Sequence, residues 1–133
     1  EDDSNKAEQL ILPQHSIIVS LAIDSPAKQQ VLFERIGRSW QLTSKGIILN
    51  KTDQQIEQMI FSWQQSTGLI QAADIVIDSD QGILVKIDLA GDSQTKVFTL
   101  YPLTDQLLIY QHQEKIWLSL PTTLTAQLLP VSF

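Results

Sequence analysis

The segment 52–68, TDQQIEQMIFSWQQSTG, constrains the fold most, because it alone carries a complete helix signature and the sequence on both sides favours strands. Thr52 is placed to cap the helix: its hydroxyl accepts from the Gln55 backbone while the Gln55 side chain reaches back, as in a capping box. Gly68 is expected to end the helix in the left-handed conformation. One apolar stripe lies between them, formed by Ile56, Met59, Ile60 and Trp63. The stripe therefore has to face a sheet.

The segments around this helix alternate between apolar and polar residues and are separated by short turns. The predicted strands cover residues 16–23, 30–36, 39–43, 69–77, 83–90, 96–103, 107–113 and 115–120. In the first strand, alternation places Ile17, Val19, Leu21 and Ile23 on one face. Pro121 begins a short C-terminal helix bearing Leu124, Leu128 and Leu129.

This order of elements predicts an α+β fold. We expect an antiparallel meander sheet of about seven to eight strands curled around one central helix, with a short C-terminal helix. A small barrel closed over the helix is the alternative. A chain of 133 residues, 43% hydrophobic and 18% charged, is long enough to bury a core without cross-links. We predict a mobile polar tail over residues 1–14 and a single α+β domain over residues 15–133.

Charge and hydrophobicity limit the kinds of partner that the chain can bind. The formal charge of −6, with nine basic residues that look scattered along the chain, argues against a nucleic-acid partner. No apolar run reaches the roughly 18 residues needed to cross a bilayer, so we predict no membrane insertion by this segment. The polar opening EDDSNKAEQ is typical of a linker after a signal or an anchor upstream of residue 1, and equally of an arbitrary boundary.

No reactive motif stands out. The chain has no cysteine, no nucleophile elbow and no glycine-rich phosphate loop. The stretch 78–82, DSDQG, resembles a calcium loop superficially, but its glycine comes one residue early, and a hairpin turn explains it better. His15 and His112 are interpreted as solvated. We predict no catalytic, cofactor-binding or metal-ligating residue, no cofactor, and a protein that is not an enzyme.

Four aromatic residues are candidates for a partner surface. Phe61 lies well away from the apolar stripe of the helix, either at the margin of the core or as an exposed contact point. Tyr110 and Trp117 share the second face of the last hairpin, and Phe98 is assigned to a similar second face. Either the C-terminal helix covers this face, or it forms a groove for a partner peptide or an apolar ligand.

The string LFERIGRSWQLT, the capped helix and the following LIQAADIVI resemble an uncharacterised family of α+β modules. The likeness covers about residues 31–129 and rests on Trp40, Leu42, the helix stripe and the order of strands. Members of that family are extracytoplasmic and membrane-anchored, and some are encoded beside transporter components. The resemblance implies a location in the periplasm or elsewhere outside the cytoplasm, and it implies no activity; a cytoplasmic location is the alternative.

Two functions of different class follow. The first is a non-catalytic interaction or scaffold module, with a protein partner, in an extracytoplasmic membrane-associated assembly. The alternative is a small apolar-ligand-binding domain with a cavity between sheet and helix.

Overall fold

The structure is a computed structural model that describes residues 7–71, 75, 77 and 79–133. The strands are β1 (Glu8–Leu10), β2 (Ile18–Asp24), β3 (Gln30–Ile36), β4 (Ser39–Lys45), β5 (Thr67–Gln71), β6 (Ile83–Leu89), β7 (Lys96–Pro102), β8 (Leu107–Gln111) and β9 (Ile116–Leu120). The helices are α1 (Asp53–Gln65) and α2 (Thr125–Leu128), with single 3₁₀ turns at Ser79–Gln81 and Thr122–Leu124.

All nine strands belong to one antiparallel sheet in the order β1-β5-β9-β8-β7-β6-β2-β3-β4. Two meanders, β2 to β4 and β6 to β9, join where β2 pairs with β6. Helix α1 connects β4, at one end of the sheet, to β5 near the other, so it passes across one face. The predicted α+β class and antiparallel sheet are confirmed, with nine strands instead of seven or eight. The described strands β1 and β4 do not pair with each other, so the barrel alternative is not observed.

Helix α1 begins as the sequence predicts and ends differently. The Thr52 hydroxyl accepts from the Gln55 amide at 3.1 Å, and the Gln55 side chain accepts from the Thr52 amide at 2.9 Å. All four stripe residues are buried. The helix stops at Ser66 with an extended backbone, and Gly68 already lies in β5. The prediction of a left-handed glycine stop is wrong: Gly68 instead leaves room for the side chains of Leu118 and Leu120.

The main core lies between α1 and the sheet. The rings of Trp63 and Phe98 are 5.8 Å apart, and the Trp63 indole Nε1 donates to the Leu128 carbonyl at 2.8 Å. This bond fixes the C-terminal segment against α1, where Leu128 and Leu129 are buried in the same core. The C-terminal helix therefore lies on the helix side of the sheet and does not cover the second face.

A bulge in β2 changes which residues face the core. The pairing with β6 shifts between Ile18 and Ser20, so Ile18 is buried together with Leu21, while Ile17 and Val19 are exposed. The simple alternation predicted for this strand is wrong at its beginning, because the extra residue of a bulge reverses the facing of everything before it.

The N-terminal segment is part of the domain. Strand β1 pairs with β5, Ile11 and Leu12 are buried, and the Gln111 side chain donates to the Ile11 carbonyl at 3.2 Å. The prediction of a mobile tail over residues 1–14 is therefore wrong from residue 8 onward; residues 1–6 lie outside the described part of the chain. The sequence gives little indication of this strand, because apolar and polar residues do not alternate regularly in the segment and the strand is only three residues long.

Candidate functional site

The four aromatic residues predicted to form a partner surface lie in three separate places. Phe61 is on the outer side of α1 and is 61% exposed. Tyr110 and Trp117 pair across β8 and β9 on the sheet face away from α1. Phe98 has no exposed surface and packs on the helix side. Its assignment to the second face is wrong, because its register with Val85 places it in the main core. These residues do not form one surface.

The face away from α1 carries a second, smaller apolar cluster. Its buried members are Tyr101, Leu108 and Trp117, with Ile75, Ile77 and Tyr110 packed against them. The Trp117 ring lies 5.0 Å from Tyr110 and 5.6 Å from Tyr101, and only 9% of the residue is exposed. Part of this face is therefore covered by Ile75 and Ile77, which follow β5. Trp117 offers little surface to a partner.

Strand β4 forms one end of the sheet, and its hydrogen-bonding phase is set by the turn before it. Gly37 and Arg38 connect the paired residues Ile36 and Ser39, and Gly37 has a φ of 63°, as in a type II′ turn. The pair beside such a turn exchanges both backbone bonds, and bonded and non-bonded pairs then alternate along the hairpin. The backbone groups of Trp40, Leu42 and Ser44 therefore point away from β3.

These outward-facing groups are open. Among the described residues, none outside β3 pairs with β4 or shares a backbone hydrogen bond with Trp40, Leu42 or Ser44. An unpaired row of alternating N–H and C=O groups is a template for another strand. We call the row formed by these three residues the open edge.

A cleft of about 350 Å³ lies beside the open edge, between β4 and the first turn of α1. It is lined by Trp40, Leu42, Leu49 and Ile56, with Lys51 and Gln55 as its polar side chains among others. Trp40 is held in place from two sides. Its indole Nε1 donates to Glu57 Oε2 at 3.1 Å, and the Arg35 guanidinium lies 5.6 Å from its ring centroid, within cation–π range. The cleft is thus a recess with one apolar wall and one polar wall, next to backbone groups of β4 that have no partner among the described residues.

The same end of the sheet is basic. Residues 28–51 hold Lys28, Arg35, Arg38, Lys45 and Lys51 but only one acid, Glu34. This stretch has a formal charge of +4, against −10 for the rest of the chain, which together give −6. The interpretation of the basic residues as scattered is wrong: five of nine lie in the hairpin and its flanks. A count of net charge in successive windows along the sequence reveals this basic cluster. The open edge cannot be found in that way, because it depends on the order of strands in the sheet.

The remaining polar groups do not assemble into a reactive site. Within the described ranges, no group of three His, Cys, Asp or Glu side chains is arranged to hold a metal ion. Burial lowers the pKa of His112, whose Nε2 lies 2.7 Å from Thr99 Oγ1. The Gln94 amide and then Lys96 lower the pKa of Asp92. Of the predicted turn 78–82, Asp78 lies outside the described residues, and Ser79–Gln81 form a 3₁₀ turn.

A second groove, of about 390 Å³, separates α1 from the C-terminal segment. Phe33, Ile56, Met59 and Leu129 contribute its apolar lining. Lys51 and Gln55 line both this groove and the cleft beside the open edge, so the two recesses flank the first turn of α1. The space between sheet and helix is otherwise occupied by Trp63, Phe98 and their neighbours.

Comparison of the chain with protein-family models, with curated proteins and with solved structures gives no significant match. Of the helices that the described residues form, none is long and apolar enough to cross a membrane.

Proposed function

We propose that this protein is a non-catalytic interaction module that binds an extended segment of a protein partner as an additional strand beside β4. The observation that carries the proposal is the position of the open edge directly beside the cleft lined by Trp40, Leu42 and Leu49. When a peptide adds to a sheet edge, main-chain hydrogen bonds give affinity, and pockets for alternate side chains give specificity. Strand β4 offers both.

The geometry defines the bound segment. Strand β4 has seven residues and is therefore about 23 Å long, which sets the length of the added strand. Successive side chains of that strand point to opposite faces of the sheet. Those on the helix side meet the cleft, and those on the other side lie along Gln41 and Thr43. The segment should carry an apolar residue at a helix-side position and polar residues on the opposite face.

The energetics require the cleft. Three outward-facing residues offer six backbone bonds, each worth about 1 kcal/mol net. Association costs at least about 4 kcal/mol, so the backbone bonds alone leave only about 2 kcal/mol. An apolar side chain buried in the cleft adds about 1.5–3 kcal/mol. The sum of about 3.5–5 kcal/mol corresponds to a dissociation constant of about 0.2–3 mM, typical of a weak contact that further interactions strengthen.

The test uses peptides selected from a displayed library of about ten random residues, the length that spans β4. Ser44→Pro removes an outward N–H and blocks a neighbouring strand, while the bonds to β3 remain. Ser93→Pro, in the exposed turn between β6 and β7, is the matched control. Selected peptides should bind the wild type and Ser93→Pro equally and lose at least about tenfold in affinity for Ser44→Pro. Equal binding to Ser44→Pro would refute strand addition.

We further propose that the module belongs to an extracytoplasmic, membrane-associated assembly, which the family resemblance of residues 31–129 supports. Cells that express the full-length gene product are fractionated and treated with protease before and after permeabilisation of the outer layer. Cleavage only after permeabilisation, in the membrane fraction, is expected. A protein that is found in the cytoplasm and protected from protease would contradict this location. It would not affect the proposed strand addition, which the peptide experiment tests.

The groove between α1 and the C-terminal segment favours a second candidate, the binding of a small apolar ligand. Its volume falls within the range of about 300–1,000 Å³ that small-molecule sites occupy. Native mass spectrometry of the purified protein should then show a retained ligand. Ala126→Phe, which places a ring on the groove lining, should reduce its occupancy, whereas the same change at exposed Ala90 should not. Consistently bare protein would exclude this candidate.

A further inference from the structure

The basic side chains around the open edge have no ion-pair partner among the described residues. Four of the five basic side chains in residues 28–51 are exposed, and Lys51 is partly buried beside the cleft. Among the described residues, the ion pair within 4 Å is Lys96 with Asp92, at 3.3 Å, and none involves these five. Glu34 is the only acid within residues 28–51, but two acids from other elements also lie near β4. Glu57 of α1 accepts from the Trp40 indole, and Asp24 of β2 lines a recess together with Lys45. Five basic residues against these three acids leave the surroundings of β4 with a net positive charge.

The basic residues follow β4 along its length. Arg38 lies in the turn before the strand, and Lys45 is its last residue. Lys28 is beside that far end, where its carbonyl is 2.9 Å from the position that a Cβ on Gly46 would occupy. Arg35 lies over Trp40, and Lys51 lines the cleft. A strand that occupies the open edge would lie between Arg38 at one end of β4 and Lys45 at the other, with Lys51 in the adjoining cleft.

We propose that the segment bound at β4 is acidic, carrying Asp or Glu on both sides of an apolar residue that enters the cleft. This inference rests on the proposed strand addition and adds the chemistry of the partner. A nucleic acid would use the same charges but not the alternating N–H and C=O groups of the open edge, and beyond the hairpin it would meet a body of charge −10. A short acidic peptide can pair with the basic side chains and can also form hydrogen bonds with the backbone groups of the open edge.

The experiment compares three synthetic peptides, each about nine residues long, with Val at alternate positions and either Glu, Gln or Lys between them. Binding to the full chain is followed by NMR titration at about 50 mM and about 500 mM salt, where screening lengths differ severalfold. We expect the Glu peptide to bind about tenfold more tightly than the Gln peptide at low salt, since each exposed ion pair changes affinity about two- to fivefold. The Lys peptide should bind most weakly, and the differences should nearly vanish at high salt.

Two charge variants locate the effect. Arg38→Gln with Lys45→Gln removes a charge from each end of β4 and should abolish most of the preference for Glu. Lys86→Gln with Lys115→Gln removes the same charge elsewhere on the sheet and should retain it. Equal loss in both pairs would show a non-specific effect of net charge and overturn the inference.

The remaining outcomes separate the inference from the proposed function. If the Gln and Glu peptides bind equally and Ser44→Pro weakens both, strand addition stands and the acidic partner is refuted. If no peptide binds, strand addition itself is refuted. A further outcome is that the wild type binds no peptide and that Arg38→Gln with Lys45→Gln forms dimers, which Ser44→Pro prevents. The basic residues would then serve to prevent self-association through the edge of β4. A 12-residue single-stranded DNA that binds more tightly than the Glu peptide would assign the charges to nucleic acid instead.

Discussion

Proline substitutions at Thr43 and Ser44 should differ strongly in how much stability they cost, although the two residues are neighbours on an edge strand. Thr43 pairs with Leu32, and the alternation set by the Gly37 turn makes this a hydrogen-bonded pair. Thr43→Pro removes the donor and leaves the Leu32 carbonyl without its partner, which together cost about 2–4 kcal/mol. The Ser44 amide points outward, so Ser44→Pro loses no bond to β3 and should cost less than about 1 kcal/mol.

Thermal unfolding followed by circular dichroism measures the difference. For a domain of this size, 1 kcal/mol corresponds to about 3 °C in Tm, so Thr43→Pro should lower Tm by about 6–12 °C and Ser44→Pro by less than about 3 °C. Urea unfolding provides an independent free energy for each variant. If Ser44→Pro is as destabilising as Thr43→Pro, the outward phase of residue 44 is wrong, and the open edge would consist of different backbone groups.

Three further predictions concern other parts of the fold. Ile11→Ala should destabilise the protein by about 2–5 kcal/mol in urea unfolding because Ile11 is buried; no change would restore the interpretation of this segment as a tail. Gly68→Ala should lower Tm, since the added Cβ would lie 2.8 Å from atoms of Leu118 and Leu120; an unchanged Tm would show that these side chains move freely. Burial lowers the pKa of His112, so the unfolded chain binds the proton more readily and stability should fall as the pH drops below about 6.5. Scans of Tm with pH should show a smaller fall for His112→Gln, and identical profiles would contradict the role of His112.

Local signals in the sequence predicted the parts of the fold that local interactions determine. The capping box at Thr52 and the stripe from Ile56 to Trp63 depend on spacing along one helix, and the two-residue connection between the predicted strands 30–36 and 39–43 depends on Gly37 and Arg38. All three are observed. The curl of the sheet around the helix stays a prediction.

The features that the sequence does not predict share a physical cause. Each of them is determined by pairing between strands that are distant in sequence. The face on which Phe98 lies depends on its register with β6, and the exposure of Ile17 and Val19 depends on a bulge against β6 that inserts one residue. Strand β1 exists only through its pairing with β5. The open edge depends on strand order, which places β4 last although a seven-residue loop, residues 46–52, and helix α1 follow it directly in sequence. No local pattern around Trp40 or Leu42 carries that information.

The basic cluster is a different kind of omission. Lys28, Arg35, Arg38, Lys45 and Lys51 are visible in the sequence, but the net charge of −6 hides them because the rest of the chain is strongly acidic. The binding function proposed for these charges rests on their position along one open strand.

Amide hydrogen exchange of β4, measured by NMR with and without the Glu peptide, tests the central claim most directly. In the free protein, the amides of Gln41 and Thr43 should exchange slowly because they bond to β3, while those of Trp40, Leu42 and Ser44 should exchange rapidly. The peptide should slow exchange at Trp40, Leu42 and Ser44 and leave Gln41 and Thr43 nearly unchanged. If bound peptide leaves the three outward amides unprotected, or protects a different strand, the partner does not add to β4 and the proposed function is wrong.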